Sequence, residues 1–405
     1  MTETSSSSSS VDLDQLADNF NAYDFDTAQH LFEVTNHARQ QCPVRRSAAH
    51  GGYWLVTGYA PLREALSQPE TYSSTEGVAF PYHPSLMMMP INLDPPLQKD
   101  FRRLLNGYLS RAGIARYASD IRAIAVEVIE SFADSGSADL HRDFAAPFTA
   151  EVLARVILHI DDKELFARAR QVTAQISRND PSQEQEDEKR AQLAAIVEEI
   201  LNARKQSGVR TADIIDALLY GEVDGRPLTR DERTGTLMNL VMGGLSTTNA
   251  ALTATFSHVA MTPGLEEHLR VSDWTRKELD EFLRFEPPVG CLSRTVTRDA
   301  TLAGQHLEAG DVVLLHFAAA NRDPEVFDDP DHLILDRQKN PHLSFGLGDH
   351  RCIGSNLARM QIEVSSVELL ARIEDIRLAE GTVLERETGI GAGLTSLPVT
   401  FRRRR

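Results

Sequence analysis

Apolar residues recur at helical spacing through most of the chain. Residues 184–205 are largely polar, with Leu193, Ile196, Ile200 and Leu201 falling on one face, which predicts a surface helix with one buried stripe. Residues 111–132, 149–160 and 354–373 carry the same period. Two capping boxes mark helix starts. Thr229-Arg230-Asp231-Glu232 opens a helix expected to run to about residue 258, and Thr275-Arg276-Lys277-Glu278 opens one that Pro287-Pro288 stops. Strand signals are shorter and fall at 53–57, 300–302, 312–317 and 397–401, between turn residues such as Ala309-Gly310-Asp311. The pattern predicts one mainly α unit over 11–405 with a minor β region near its ends.

Composition narrows the class. With 405 residues, 41% of them hydrophobic, the chain can bury a sizeable core without covalent staples. Residues 1–10 lack the basic start and apolar run of a secretory signal, and their serine run is expected to be a disordered tail. The best apolar stretch, 237–245, is far shorter than the roughly 20 residues a membrane span needs. A formal net charge of −17 argues against non-specific nucleic-acid binding and against docking on anionic lipid. Cys42, Cys291 and Cys352 are too few for a disulfide framework or a four-cysteine zinc site, so the reducing cytoplasm is the expected location.

Three places concentrate chemistry. The first is the middle of the long helix, Val241-Met242-Gly243-Gly244-Leu245-Ser246-Thr247-Thr248. Two mid-helix glycines cost about 1 kcal/mol each relative to alanine. Close helix–helix packing offsets that, or a local opening that exposes backbone and hydroxyl groups. The second is Glu281 and Arg284, three apart on one helix face and surrounded by Phe282, Leu283 and Phe285. An exposed pair of this type contributes under about 1 kcal/mol; the apolar neighbours hint at burial.

The third and densest is 340–354. Glycines at 346, 348 and 354 permit a tight turn with inward N–H groups. Cys352 stands just ahead of an expected helix start, beside His350 and Arg351. The helix terminus and those positive charges are expected to lower the thiol pKa. That environment suits a cysteine used as an anion, either metal ligand or nucleophile.

Phe345-Gly-x-Gly-x-His350-x-Cys352-x-Gly354 resembles the haem-binding signature of the cytochrome P450 monooxygenases at every defining position. The likeness extends in order along nearly the whole chain. Glu281-x-x-Arg284 resembles the family's buried pair, Arg337 its third member, 243–248 the oxygen-activation helix, and Asn321-Arg322-Asp323-Pro324 the approach to the meander. The resemblance implies the P450 fold, with haem b between the central long helix and the cysteine-loop helix. Cys352 is then the iron ligand through its thiolate, in a cradle with Phe345, Gly346 and Gly354. Gln98 and Arg102 match the segment that serves the propionates, with Arg294 and His350 as further partners; many relatives carry histidine where Gln98 stands.

The implied activity is O2 activation with electrons from separate partners, a ferredoxin and a flavin-dependent ferredoxin reductase. The implied chemistry is hydroxylation, O-dealkylation or epoxidation of a small to medium hydrophobic molecule such as a terpenoid or aromatic compound. Thr247 matches the threonine that holds water near bound O2. Ser246 departs from the family, which usually has an acid there; serine does not titrate near pH 7. Proton delivery is therefore expected through Thr247, Ser246 and water, unless the reaction is a less proton-demanding radical coupling. Substrate-recognition segments imply a pocket of Leu86, Met87, Met88, Met89, Met242, Leu245, Val289, Cys291, Leu292 and Leu394, none of them charged. A ferredoxin is acidic, so its docking face is expected to be basic around Arg103 and Arg351. Oxidative coupling, peroxide use (less favoured because Thr247 is present) and non-catalytic haem or ligand binding are the alternatives.

Overall fold

The computed structural model describes residues 11–82, 87–160, 162–176, 183–272 and 274–405. The expected disordered tail and Leu86 lie outside the described residues. Thr229 accepts from the Glu232 N–H, and the Glu232 carboxylate accepts from the Thr229 N–H. This reciprocal cap starts the central helix, Arg230–Met261, of 32 residues. Leu237, Met238, Val241, Leu252, Phe256 and Val259 anchor it in the main core. The helix passes through its two glycines without opening. A Cβ on Gly244 would meet the Leu153 side chain at 3.2 Å, whereas nothing lies within 4 Å of one on Gly243. One glycine admits a neighbour, and the other faces open space.

Helices Ala146–Glu151, Lys163–Ile176, Gln183–Ser207 and Ser355–Arg372 pack against the central helix. The expected helix over 111–132 is two, Arg111–Ala115 and Ala118–Glu130. The chain tightens between them, where the Tyr117 N–H bonds the Ile114 carbonyl at 2.9 Å, an i→i−3 bond that breaks the register. The expected helix over 149–160 widens into a π turn at Val152–Ile157, and a second π turn, Leu140–Ala145, precedes it.

The minor β region centres on a five-stranded sheet ordered Val44–Ser47, Tyr53–Val56, Val312–His316, Cys291–Val296 and Tyr72–Ser73. Its register pairs Cys291 with His316 and Arg294 with Val313. A second sheet joins Ile373–Leu378, Pro398–Arg403 and Ser137–Asp139. Among the described residues, no helix is long and apolar enough to cross a membrane.

Candidate active site

Cys352 lies at the end of the glycine turn, ahead of Ser355–Arg372. Gly346 and Gly348 have φ of +66° and +65°, a region where only glycine sits without strain. Gly354 has φ −81°; a Cβ there would lie 3.9 Å from the Cys352 sulfur. The Cys352 N–H donates to the Phe345 carbonyl at 2.7 Å, and that of Gly346 to Leu343 at 2.7 Å. The cysteine is exposed, yet it sits deep within the surrounding fold, and this desolvation pushes the thiol pKa up. The Gly354 amide, Arg102, Arg351 and Arg359 pull it down only in part. The expected depression is thus not supplied by protein groups alone; a coordinated cation deprotonates such a thiol outright. His350 adds no positive charge either. Burial, with Arg294 and Arg102 nearby, lowers its imidazole to about 4.

Around this loop the chain gathers two arginines that make no ion pair among the described residues, with His350 beside them. Arg294 is buried and donates to the Ser293 carbonyl at 2.7 Å, and burial brings its guanidinium down to about 10, still charged at pH 7. Half-buried Arg102 makes no ion pair among the described residues. His350 Nε2 lies 3.4 Å from Ser74 Oγ and 3.8 Å from Asp94. Isolated buried cations are unfavourable unless an anion joins them, so this set fits a ligand bearing carboxylates. Gln98 is a different case. Its amide donates to the Asp349 carbonyl at 2.5 Å, tying helix Leu97–Leu109 to the cysteine loop. Its buried Oε1 has no partner and, as an acceptor, does not suit a carboxylate; only the second amide hydrogen remains for one. The thiol, the cation set and the open space at Gly243 together fit a haem.

Behind the loop, Arg284 pairs two-pronged with Glu281 at 2.8 and 2.9 Å. Arg337 joins the same carboxylate at 3.0 Å, and Asn340 at 3.1 Å. Arg284 also donates to the Asn321 carbonyl at 2.9 Å. The Asn321 side chain then holds the loop, donating to Ser344 Oγ at 2.8 Å and accepting from the Leu343 N–H at 2.7 Å. Asn321, Ser344 and Asn340 carry this relay, and sequence reasoning had not given them that part. Arg359 lies 4.3 Å over the Phe345 ring and 2.7 Å from Asp280.

On the central helix, Thr247 Oγ1 donates to the Gly243 carbonyl at 2.8 Å and Ser246 Oγ to that of Met242 at 3.2 Å. The pocket segments reach this helix from several sides. The Met87 carbonyl and the Met89 sulfur lie against Gly235, and the Met89 carbonyl accepts from Asn239 at 3.2 Å. Met88 is held at its N–H by Asn92 at 2.9 Å. Val289 bridges Gly391, and Gly393 abuts Ala250. Met242 packs against the main core, where Leu245 is buried; Leu292 packs against the sheet cluster, and buried Leu394 bridges Arg386. Cys291 does not join them. It is buried with Ala17, Phe20 and Leu31 in the N-terminal cluster, on the strand face opposite Leu292, and burial raises its thiol to about 12.

Beside the uncharged pocket positions of the C-terminal turn stands a carboxylate, Glu387, whose Oε2 lies 3.0 Å from where a Gly391 Cβ would be. Arg103 is exposed, as expected; it pairs with Asp100 at 2.6 Å and shares a cleft with Glu222 and Asp224.

Residues 274–391 match the family model described as Cytochrome P450. A steroid C26-monooxygenase of Mycobacterium tuberculosis is 30% identical over 379 residues, spanning 90% of this chain and 98% of its own. A cyclomarin C epoxidase of Salinispora arenicola is 27% identical, spanning 94% of this chain and 98% of its own. The crystal structure of cytochrome P450 CYP101C1 superposes with a TM-score of 0.85 at 27% identity, covering 95% of this chain and 97% of that one.

Proposed function

The chain belongs to the cytochrome P450 family and is a haem-dependent monooxygenase, and from that premise we propose how its own residues divide the work. Cys352 holds the iron, and Phe345, Gly346 and Gly354 shape the turn that presents its sulfur. Arg102 and Arg294 take the propionates, with neutral His350 as a donor and Gln98 chiefly fixing the loop. The observation that carries this reading is the pairing of an accessible cysteine in a glycine turn with a buried and a half-buried arginine that make no ion pair among the described residues.

When bound, haem supplies the chemistry: O2, two electrons and two protons yield one inserted oxygen atom and one water. The protein's share is orientation, exclusion of bulk water and proton handling. Gly243 leaves room on the central helix, and Thr247 keeps its hydroxyl on the Gly243 carbonyl, positioned to hold a water there. Glu281, Arg284 and Arg337 hold the loop from behind through Asn321.

The substrate is a small to medium hydrophobic molecule, met by the Met87–Met89 segment, Met242, Leu245, Val289, Leu292 and Leu394. The steroid-oxidising relative supports that class. Electrons come from a ferredoxin and its flavin-dependent reductase, with exposed Arg103 and Arg351 as cations for an acidic partner. A panel of terpenoid, steroid and aromatic compounds, scored for spectral binding shifts and then for product with surrogate redox partners, tests this reading. Tight binding of only charged, water-soluble compounds contradicts it.

A further inference from the structure

We infer that the cleft on the outer side of the central helix is the route by which protons reach Thr247, with Glu387 as its relay carboxylate in place of an acid at position 246. The inference rests on the monooxygenase reading above. Leu245, Ser246 and Asn249 of the central helix line one cleft of about 570 Å³, room for several waters with polar partners. Ser246 contributes a hydroxyl that does not titrate. The titratable and charged groups that line the same cleft are His141 and Arg142 from the π-turn segment, Glu164, Arg168 and Arg170 from helix Lys163–Ile176, and Glu387 from the C-terminal turn. Arg142 is paired with Asp143 at 2.8 Å and Arg168 with Glu199 at 3.1 Å.

Among these carboxylates, Glu387 is the one the fold presses against the central helix. A Cβ on Gly393 would strike that of Ala250 at 2.8 Å, so only glycine lets this turn lie so close, one helical turn beyond Ser246. Glu387 Oε2 lies 3.5 Å from the same Gly393 position. The turn is also held rigidly. The Glu387 N–H bonds the Gly393 carbonyl at 2.8 Å. Neighbouring Arg386 grips Glu286 at 2.9 and 3.0 Å and the Ala392 carbonyl at 2.9 Å. On the helix side, buried Asn249 lies 3.5 Å from His141 Nε2, which extends the polar wall from Ser246 inward.

The step breaks and forms only O–H bonds. A carboxyl proton of Glu387 passes through cleft water and the Ser246 hydroxyl to the water held by Thr247. The carboxylate is then reprotonated from solvent, and the electrons come from the separate redox partner.

The test uses holoenzyme with substrate, first checked for a thiolate-type carbon monoxide band so that a failure of the family reading is seen separately. Glu387→Gln is expected to lower product per NADPH about tenfold or more, raise peroxide release, and flatten the pH profile. Glu387→Asp is expected to restore most of the coupling, and Ser246→Asp to restore it in the Glu387→Gln background. A readout independent of turnover is the infrared carboxyl band lost in Glu387→Gln. Its titration midpoint is expected to rise in Ser246→Asp, because two carboxylates sharing a cleft oppose each other's ionisation. An unchanged pH profile and coupling in Glu387→Gln, or a midpoint indifferent to Ser246→Asp, overturns the proposal.

Discussion

The Arg284 guanidinium closes on the Glu281 carboxylate with Nε and Nη2 at 2.8 and 2.9 Å, both side chains entirely out of solvent. Such a pair contributes little to stability against an apolar alternative, but breaking it leaves uncompensated buried charge. Glu281→Gln strands Arg284 and Arg337 together. The expected loss is about 3–5 kcal/mol in unfolding free energy, with reduced haem content because Asn321 no longer fixes Leu343 and Ser344. Chemical denaturation and the ratio of Soret to protein absorbance check this; wild-type values for both contradict it.

Arg294 gives a prediction with opposite signs in two measurements. Its buried charge makes no ion pair among the described residues, Asp94 acting on it only from a distance, so Arg294→Leu relieves a desolvation penalty in the chain by itself. The same change removes a charge-assisted bond to a propionate, worth roughly 10- to 100-fold in retention. Haem transfer to an acceptor protein is expected to speed up by that factor, while the chain prepared without haem unfolds no more easily than wild type.

Gly243 separates stability from function. Nothing lies within 4 Å of a Cβ there, so Gly243→Ala is expected to gain about 1 kcal/mol of helix stability while intruding on the site and lowering turnover. Gly244→Ala meets Leu153 at 3.2 Å and is expected to gain less. Thermal unfolding of the two variants, compared with product formation, shows whether this trade-off holds.

The pH dependence of stability follows from Glu286. Burial alone would raise its carboxyl, but Arg386 and His258 outweigh burial and lower it from 4.5 to about 2. Because the folded value lies below the unfolded one, the stabilisation is complete above the unfolded pKa of 4.5 and is lost as pH falls toward about 2. It amounts to on the order of 3 kcal/mol. Glu286→Gln is expected to flatten the acid limb of the stability curve, read from urea midpoints between pH 7 and pH 3.

Features written in local sequence were legible. Both capping boxes, the glycine turn at Cys352 and the stop at Pro287-Pro288 depend on neighbours within a few residues, and each forms where expected. Features decided across the chain were not. Whether Cys291 faces the pocket depends on strand register, since one residue turns a side chain to the other face; pairing with His316 sends it into the N-terminal cluster. The acidic side of the cleft beside exposed Arg103 was not legible, because Glu222 and Asp224 come from far along the chain. Glu387 gave no signal of its own; a carboxylate just ahead of glycines 389, 391 and 393 gains meaning only when Gly393 is seen against Ala250. The thiol shifts up instead of down because desolvation within the fold, invisible in the local sequence, outweighs the nearby amide and arginines.

The central claim is that Cys352 holds the iron as a thiolate. The most direct measurement is the carbon monoxide difference spectrum of the reduced protein, wild type beside Cys352→Ser and Cys291→Ser. The account predicts the Soret band typical of thiolate ligation in wild type and in Cys291→Ser, and its loss in Cys352→Ser. A thiolate-type band that survives Cys352→Ser contradicts it.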